Sequence, residues 1–316
     1  MRDTPAPAWA KARERSNVLA IRAIAWIALH LGRPIARGVL HFITLYFLLF
    51  APQPRRHSQR YLRRALGRAP TWADSYRHFH RFASVALDRI WFVKGQLGVF
   101  KLQVGCGKEL MLGTMAEGRG AFLLGAHAGS FEALSAFGDS CPGMRVAMVM
   151  YPENARKIHS VLAAIAPDFE MGIITIGQRG STLAIRDWLD GNGLVGLMGD
   201  RYLVGDVANR SNRVMLPFLG QPAPFSDGPL RLAQLLKRRV VFMVGLYHGG
   251  NHYELRFEEL ADFREAPSDA AAREAALQQA LQAYAAKLEA LCRETPYNWF
   301  NFYDYWHEDA QDAPPP

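Results

Sequence analysis

Four short apolar runs in the middle of the chain constrain its fold more than any other feature. Ala121–Gly125, Arg145–Met150, Gly172–Ile176 and Leu194–Met198 are each five or six residues long. Between them lie stretches whose apolar residues recur at helical spacing: Ser130–Phe137, Glu153–Ile165 and Ser181–Leu189. Short runs without alternation suit strands buried on both faces, as a helix-covered parallel sheet requires. The alternation predicts an α/β fold, a mixed sheet flanked by helices. A helix over Gly228–Leu236 continues it. So does a strand pair, Val240–Tyr247 and Tyr253–Phe257, turning at Gly249–Asn251. A long helix over Ser268–Arg293 takes Ser268 or Asp269 as its cap and stops before Pro296. The tail, 313–316, reads as disordered.

The N-terminal part has a different character. Residues 1–68 carry 13 Lys and Arg against two acids, Asp3 and Glu14. The net charge of +8 therefore belongs to this segment, and the rest of the chain is slightly acidic. A nucleic-acid-binding domain would spread its charge over the folded surface, so nucleic acid is not the expected partner. The basic residues flank apolar stretches, Val18–Gly32 and Val39–Ala51, and Arg22 interrupts the first. The longest uncharged run, Gly38–Pro54, has 17 residues and falls short of the roughly 20 that a spanning helix needs. Arg22 and the lack of a small-residue cleavage site argue against a secretory signal. The pattern predicts a basic amphipathic helical region over 1–68 that lies in a membrane interface or makes one short span. A single α/β domain is expected over 69–312.

Three cysteines, Cys106, Cys141 and Cys292, make neither a disulfide framework nor a metal-ligand pair. They favour a reducing, cytosol-facing location. Cys106, between two glycines, reads as a small buried residue. No metal and no cofactor is expected. His248 and His252 have a zinc-like spacing, but Gly249, Gly250 and Asn251 between them mark a turn. The chain has no G-x-S-x-G elbow, no P-loop and no dinucleotide fingerprint.

The chemistry-bearing segment is Phe122–Leu134, where an apolar strand runs into Gly125, His127, Gly129, Ser130 and Glu132. Five residues apart on one helix, His127 and Glu132 would point about 140° away from each other. They meet only if His127 sits at a strand tip and Glu132 folds back, a bend that Gly129 eases. A carboxylate on one imidazole nitrogen makes the other a better general base. The alternative is a buried structural histidine with Glu132 on a solvated face. Roughly one His-x4-acid pair is expected by chance in such a composition. The chain has two, the other being His307 and Asp312 beside the tail.

The Gly-x-His-x-Gly-x-x-Glu core at Gly125–Glu132 resembles the His-x4-Asp/Glu motif of the lysophospholipid acyltransferase superfamily. It is most similar to the lipid A lauroyl/myristoyl acyltransferase branch. Met150–Asn154, Gly196–Arg201 and Val214–Gly228 resemble further blocks of that family in order and spacing. Pro296–Trp306 departs from that branch: it is acidic and aromatic, and resembles a sister branch of lipid-conjugate pathways.

The resemblance implies an acyltransferase-type α/β sandwich at the cytoplasmic face of a bacterial inner membrane, working as a monomer. It implies transfer of an acyl chain from acyl carrier protein or coenzyme A to a hydroxyl of a membrane lipid. His127 would be the general base and Glu132 its partner, with no covalent intermediate. Backbone N–H groups of Gly129 and Ser130 would hold the oxyanion. Asn154, Arg156, Arg179, Asp200 and Arg201 would contact substrate. Two other readings use the same residues: a thioester hydrolase, and a non-catalytic lipid-binding scaffold.

Overall fold

The sheet is built as the apolar runs require. A computed structural model describes residues 18–134, 137, 143–152, 172–201, 213–265 and 267–306. Two units emerge. Asp88–Gly199 with Asp227–Tyr284 form one, and Met1–Leu87 with Asp200–Ser226 and Ala285–Pro316 form the other. This division interleaves the chain, unlike the boundary at residue 68 expected from charge.

The first unit holds a seven-stranded sheet. Its strands are β1 (Lys101–Cys106), β2 (Ala121–Gly125), β3 (Val146–Met150), β4 (Gly172–Thr175), β5 (Leu194–Met198), β8 (Arg239–Gly249) and β9 (His252–Asp262). Their order is β1-β9-β8-β2-β5-β3-β4. Strands β8, β2, β5, β3 and β4 run parallel, while β9 is antiparallel to β8 and β1 follows β9. Central β2 is buried at every residue, which accounts for its unbroken apolar run. Edge strand β1 is largely exposed, and that hides it from a hydropathy reading.

The register places Gly125 of β2 opposite Met198 of β5. The connection out of β2 runs to β3, beyond β5, whereas the connection out of β5 returns to β8, beyond β2. With right-handed crossovers, two such connections leave on opposite faces. The carboxyl ends of β2 and β5 are therefore a topological switch point, where open α/β sheets form a crevice.

The other unit contains α1 (Val18–His30), α2 (Gly32–Phe50), α3 (Pro52–Leu66), most of α4 (Trp72–Val93) and the two-stranded ribbon β6 (Arg213–Phe218) and β7 (Gln221–Ser226). Proline at the first turn of α3 and Gly67 in the left-handed region at its end set the limits of that helix. Thr71 and Asp74 form a reciprocal capping box at the start of α4. The Thr71 amide donates to Asp74 Oδ2 (2.7 Å) and the Asp74 amide to Thr71 Oγ1 (3.2 Å). Trp299, Phe300, Tyr305 and Trp306 are buried, with Tyr61 and Phe218 against Trp299 at 4.9 and 5.4 Å. The acidic aromatic block is thus the core of this unit.

Helix α2 has two apolar faces. Ala36, Leu40, Thr44 and Leu48 form a buried seam at i, i+4 spacing. Ile35, Phe42, Leu45, Tyr46, Leu49 and Phe50 are exposed, Phe42 to 76%. Gly32–Phe50 is long and apolar enough to cross a membrane; a signal sequence has the same length and composition. The remaining helices are α5 (Lys108–Ala116), α6 (Ser181–Asp190), α7 (Gly228–Leu235) and α8 (Ala270–Glu294). The tail, 313–316, and the stretch Glu153–Ile165 lie outside the described residues.

Candidate active site

The turn after β2 begins at the switch point. Gly125 ends the strand, and its carbonyl accepts hydrogen bonds from the Gly199 amide (3.0 Å) and the Tyr284 hydroxyl (2.9 Å). Two donors on one carbonyl fix the level at which the chain leaves the sheet. His127 follows two residues later and is half-buried.

The bend comes at Gly129, with φ +57°. A Cβ there would lie 1.9 Å from the Gly245 carbonyl oxygen on β8. Glycine is required twice over, by the backbone angle and by the close approach. The Ser130 amide donates to that same Gly245 carbonyl at 2.8 Å. The expectation that the Ser130 N–H receives an oxyanion is therefore corrected: the turn uses this donor to dock onto β8. Of the expected pair, only the Gly129 amide is left for that role.

Residues 132–134 are wound as a 3₁₀ helix, where the start of an α-helix is expected. Glu132 is anchored from two sides. Ser130 Oγ donates to its Oε2 at 3.0 Å, and Arg89 Nε lies 2.5 Å from its Oε1. The Ser130 amide is taken by Gly245, so its contribution to Glu132 is made by the side chain. The Glu132 side chain is 13% exposed, against 43% for Arg89. An ion pair so sheltered keeps its carboxylate in place more firmly than a surface pair does. Glu132 is thus not on a solvated face. His127 and Glu132 bracket one short, cross-braced turn.

The other expected residues are scattered. Arg179 is exposed in the turn after β4, at the far edge of the sheet. It is three strand spacings from β2, about 14 Å. Asn154 and Arg156 lie outside the described residues. Asp200 and Arg201 belong to the other unit. Asp200 is 2% exposed and accepts a hydrogen bond from Trp299 Nε1 at 2.8 Å, which makes it a core carboxylate. The Arg201 guanidinium lies 5.5 Å from the centre of the Tyr303 ring. Burial pushes the Tyr303 hydroxyl far above its usual range, while Arg201 opposes that shift.

Cys106 is exposed at the end of edge strand β1, contrary to the buried residue expected, because the strand has no neighbour beyond it. His248 Nε2 pairs with Glu254 Oε2 at 2.7 Å across the β8–β9 turn. Among the described residues no group of three His, Cys, Asp or Glu side chains is arranged to hold a metal ion. Arg89 and Tyr284, which brace the site, carry no signal in the sequence. Comparison of the sequence with family models and with curated proteins gave no match.

Proposed function

We propose that the chain is a membrane-associated acyltransferase. It would move a fatty acyl group from a carrier thioester, on acyl carrier protein or coenzyme A, to a hydroxyl of a lipid acceptor. The observation that carries this reading is the braced His127–Glu132 turn at the carboxyl end of central strand β2, in the crevice position of the sheet. The order of motif blocks along the sequence supports it, as does the exposed apolar face of α2.

In this reading His127 takes the proton of the acceptor hydroxyl, whose oxygen attacks the thioester carbonyl. The tetrahedral intermediate collapses with loss of the carrier thiolate, which recovers the proton from the imidazolium. Glu132 favours the charged imidazole during the step. Ser130 and Arg89 act through Glu132 by holding it in place. The Gly129 amide is a candidate donor to the oxyanion. A cytosol-facing location at a membrane follows from the substrates, and the finer fold assignment, an acyltransferase-type sandwich, belongs to the same proposal.

The test is an assay of the full-length protein with long-chain acyl carrier protein and total lipid extract. Acylated lipid is the expected product. Free fatty acid alone indicates a hydrolase, and no turnover of the thioester indicates a lipid-binding scaffold; either result overturns the proposal. His127→Ala should lower turnover at least about 100-fold with an unchanged circular dichroism spectrum, as removal of a general base does.

A further inference from the structure

We propose that α2 lies flat in one leaflet of an anionic phospholipid bilayer and does not cross it, with Ile35, Phe42 and Leu49 at one depth among the acyl chains. The inference rests on the membrane association in the proposed function and not on the chemistry of the His127 turn.

Length and composition alone leave a span open for Gly32–Phe50. The packing closes it. Ala36, Leu40, Thr44 and Leu48 are between 0% and 4% exposed. They run from the second turn of the helix to its last, about 18 Å along its axis. The protein's own fold therefore covers one side of α2 over nearly its whole length. A helix that crosses a bilayer is apolar all round, or packs on partners that cross with it. The neighbour of α2 is not such a partner. His41 Nδ1 and the Tyr76 hydroxyl of α4 share a hydrogen bond of 2.5 Å, and the His41 and His80 rings stack at 4.6 Å. Helix α4 carries Asp74, Arg77, His78, His80 and Arg81, and ionisable side chains at that density are too costly for the hydrocarbon core.

The opposite side of α2 suits lipid. At about 100° per residue, Ile35, Phe42 and Leu49 project within about 40° of one line, opposite the buried seam. All three are exposed, and Leu45, Tyr46 and Phe50 widen the stripe. The two charged residues of the helix, Arg33 and Arg37, are half-buried and project to the seam side. A helix with one apolar side free along its length and the other held by protein fits the plane of an interface, its free side sunk among the acyl chains.

Charge selects a bilayer over a second copy of the chain as the cover for this stripe. Residues 1–68 carry 13 Lys and Arg against two acids. Two such segments brought together repel, whereas an anionic leaflet attracts each basic residue near its surface.

The experiment replaces Ile35, Phe42 and Leu49 one at a time by a fluorescent amino acid in the full-length protein. Vesicles of phosphatidylcholine mixed with phosphatidylglycerol carry bromine at successive acyl positions, so quenching reports depth. All three probes should quench at one depth, within about 5 Å. A crossing helix separates the first probe from the last by up to about 20 Å, with the middle one between them. That gradient overturns the inference and leaves membrane association standing. Wild-type protein that does not bind these vesicles, or that buries the stripe in a stable dimer, overturns both. Should a variant fail to fold, a phospholipid with a photoreactive group at mid-chain decides on the wild-type protein. Adducts should form at Ile35, Phe42 and Leu49 alike, and adducts confined to one of the three overturn the flat arrangement.

Discussion

The hydroxyl of Tyr284, buried on α8, donates to the carbonyl of Gly125 at 2.9 Å, two residues before His127. The bond ties the long helix α8 to the last residue of the central strand. Tyr284→Phe removes the donor and little else. It should destabilise the fold by about 1–2 kcal/mol in a urea melt, the cost of one buried neutral hydrogen bond. The Gly199 amide still occupies the carbonyl, so a larger loss is not expected. A loss above roughly 4 kcal/mol would show that Tyr284 supports more than this bond.

Gly129 and Gly113 make a matched pair of glycines. Gly129 has φ +57° and its Cβ would meet the Gly245 carbonyl oxygen at 1.9 Å. Gly113 lies inside α5 with nothing within 4 Å. Gly129→Ala should cost more than about 2 kcal/mol, from a strained backbone angle and a clash with main chain that cannot yield. Gly113→Ala should stabilise by about 0.5–1 kcal/mol through helix propensity. Chemical denaturation of the two variants checks this, and equal effects would remove the argument for a docked turn.

Legibility followed burial. The runs Ala121–Gly125 and Leu194–Met198 match β2 and β5 to the residue, because central strands exclude polar side chains and glycine marks their ends. Edge strand β1 is largely exposed and so offers no apolar run, and Cys106 at its tip is exposed with it, against the burial that its small size suggests. The ribbon β6–β7 carries Pro217, Pro222 and Pro224, residues that argue against a strand unless it stands outside the main sheet, as this one does. The bend at Gly129 could be read from residue type. The partners that brace it could not: Arg89 and Tyr284 reach the site through tertiary packing, and Gly245 offers only a backbone carbonyl.

Acid should reduce stability through His78 and then Asp74, both in the unit that holds α1–α3. His78 is fully buried, with Ser58 Oγ 2.8 Å from Nδ1 and the Trp299 carbonyl 2.8 Å from Nε2. Burial lowers its pKa from the ordinary histidine range to about 4. A folded pKa below the unfolded one means that the unfolded chain takes up the proton first. The stabilisation is complete above about pH 6.5 and is lost as pH falls toward 4, about 3 kcal/mol in all. Denaturation midpoints measured from pH 7 to pH 4 should show this slope, and His78→Asn should reduce it, leaving the share of His80, which burial also lowers to about 4.

The second stage belongs to Asp74. Arg68 holds its carboxyl well below the usual range, with burial opposing and Tyr297 and Thr71 adding to the effect. A depressed carboxyl contributes stability above the unfolded value of about 4 and loses it as pH falls further. Asp74→Asn keeps the shape but not the charge, and should cost about 2 kcal/mol at neutral pH. The cost should shrink below pH 4; a constant difference across that range would rule out a charge effect.

The exposed face of α2 can be tested without damaging the fold, which deletion of the helix cannot do. Removing residues 1–50 would also remove Ala36, Leu40 and Leu48, which are core. Phe42 and Leu49 are 76% and 50% exposed, and substituting them leaves that core intact. Each contributes about 1.5–3 kcal/mol if it is buried among acyl chains, and a glutamate in its place opposes burial further. The double variant Phe42→Glu, Leu49→Glu should bind phosphatidylcholine vesicles at least about 100-fold more weakly while its melting temperature stays near wild type. Co-sedimentation with vesicles reads the first quantity and a thermal scan the second. A variant that melts normally and still sediments in full would show that this face is not what meets the membrane.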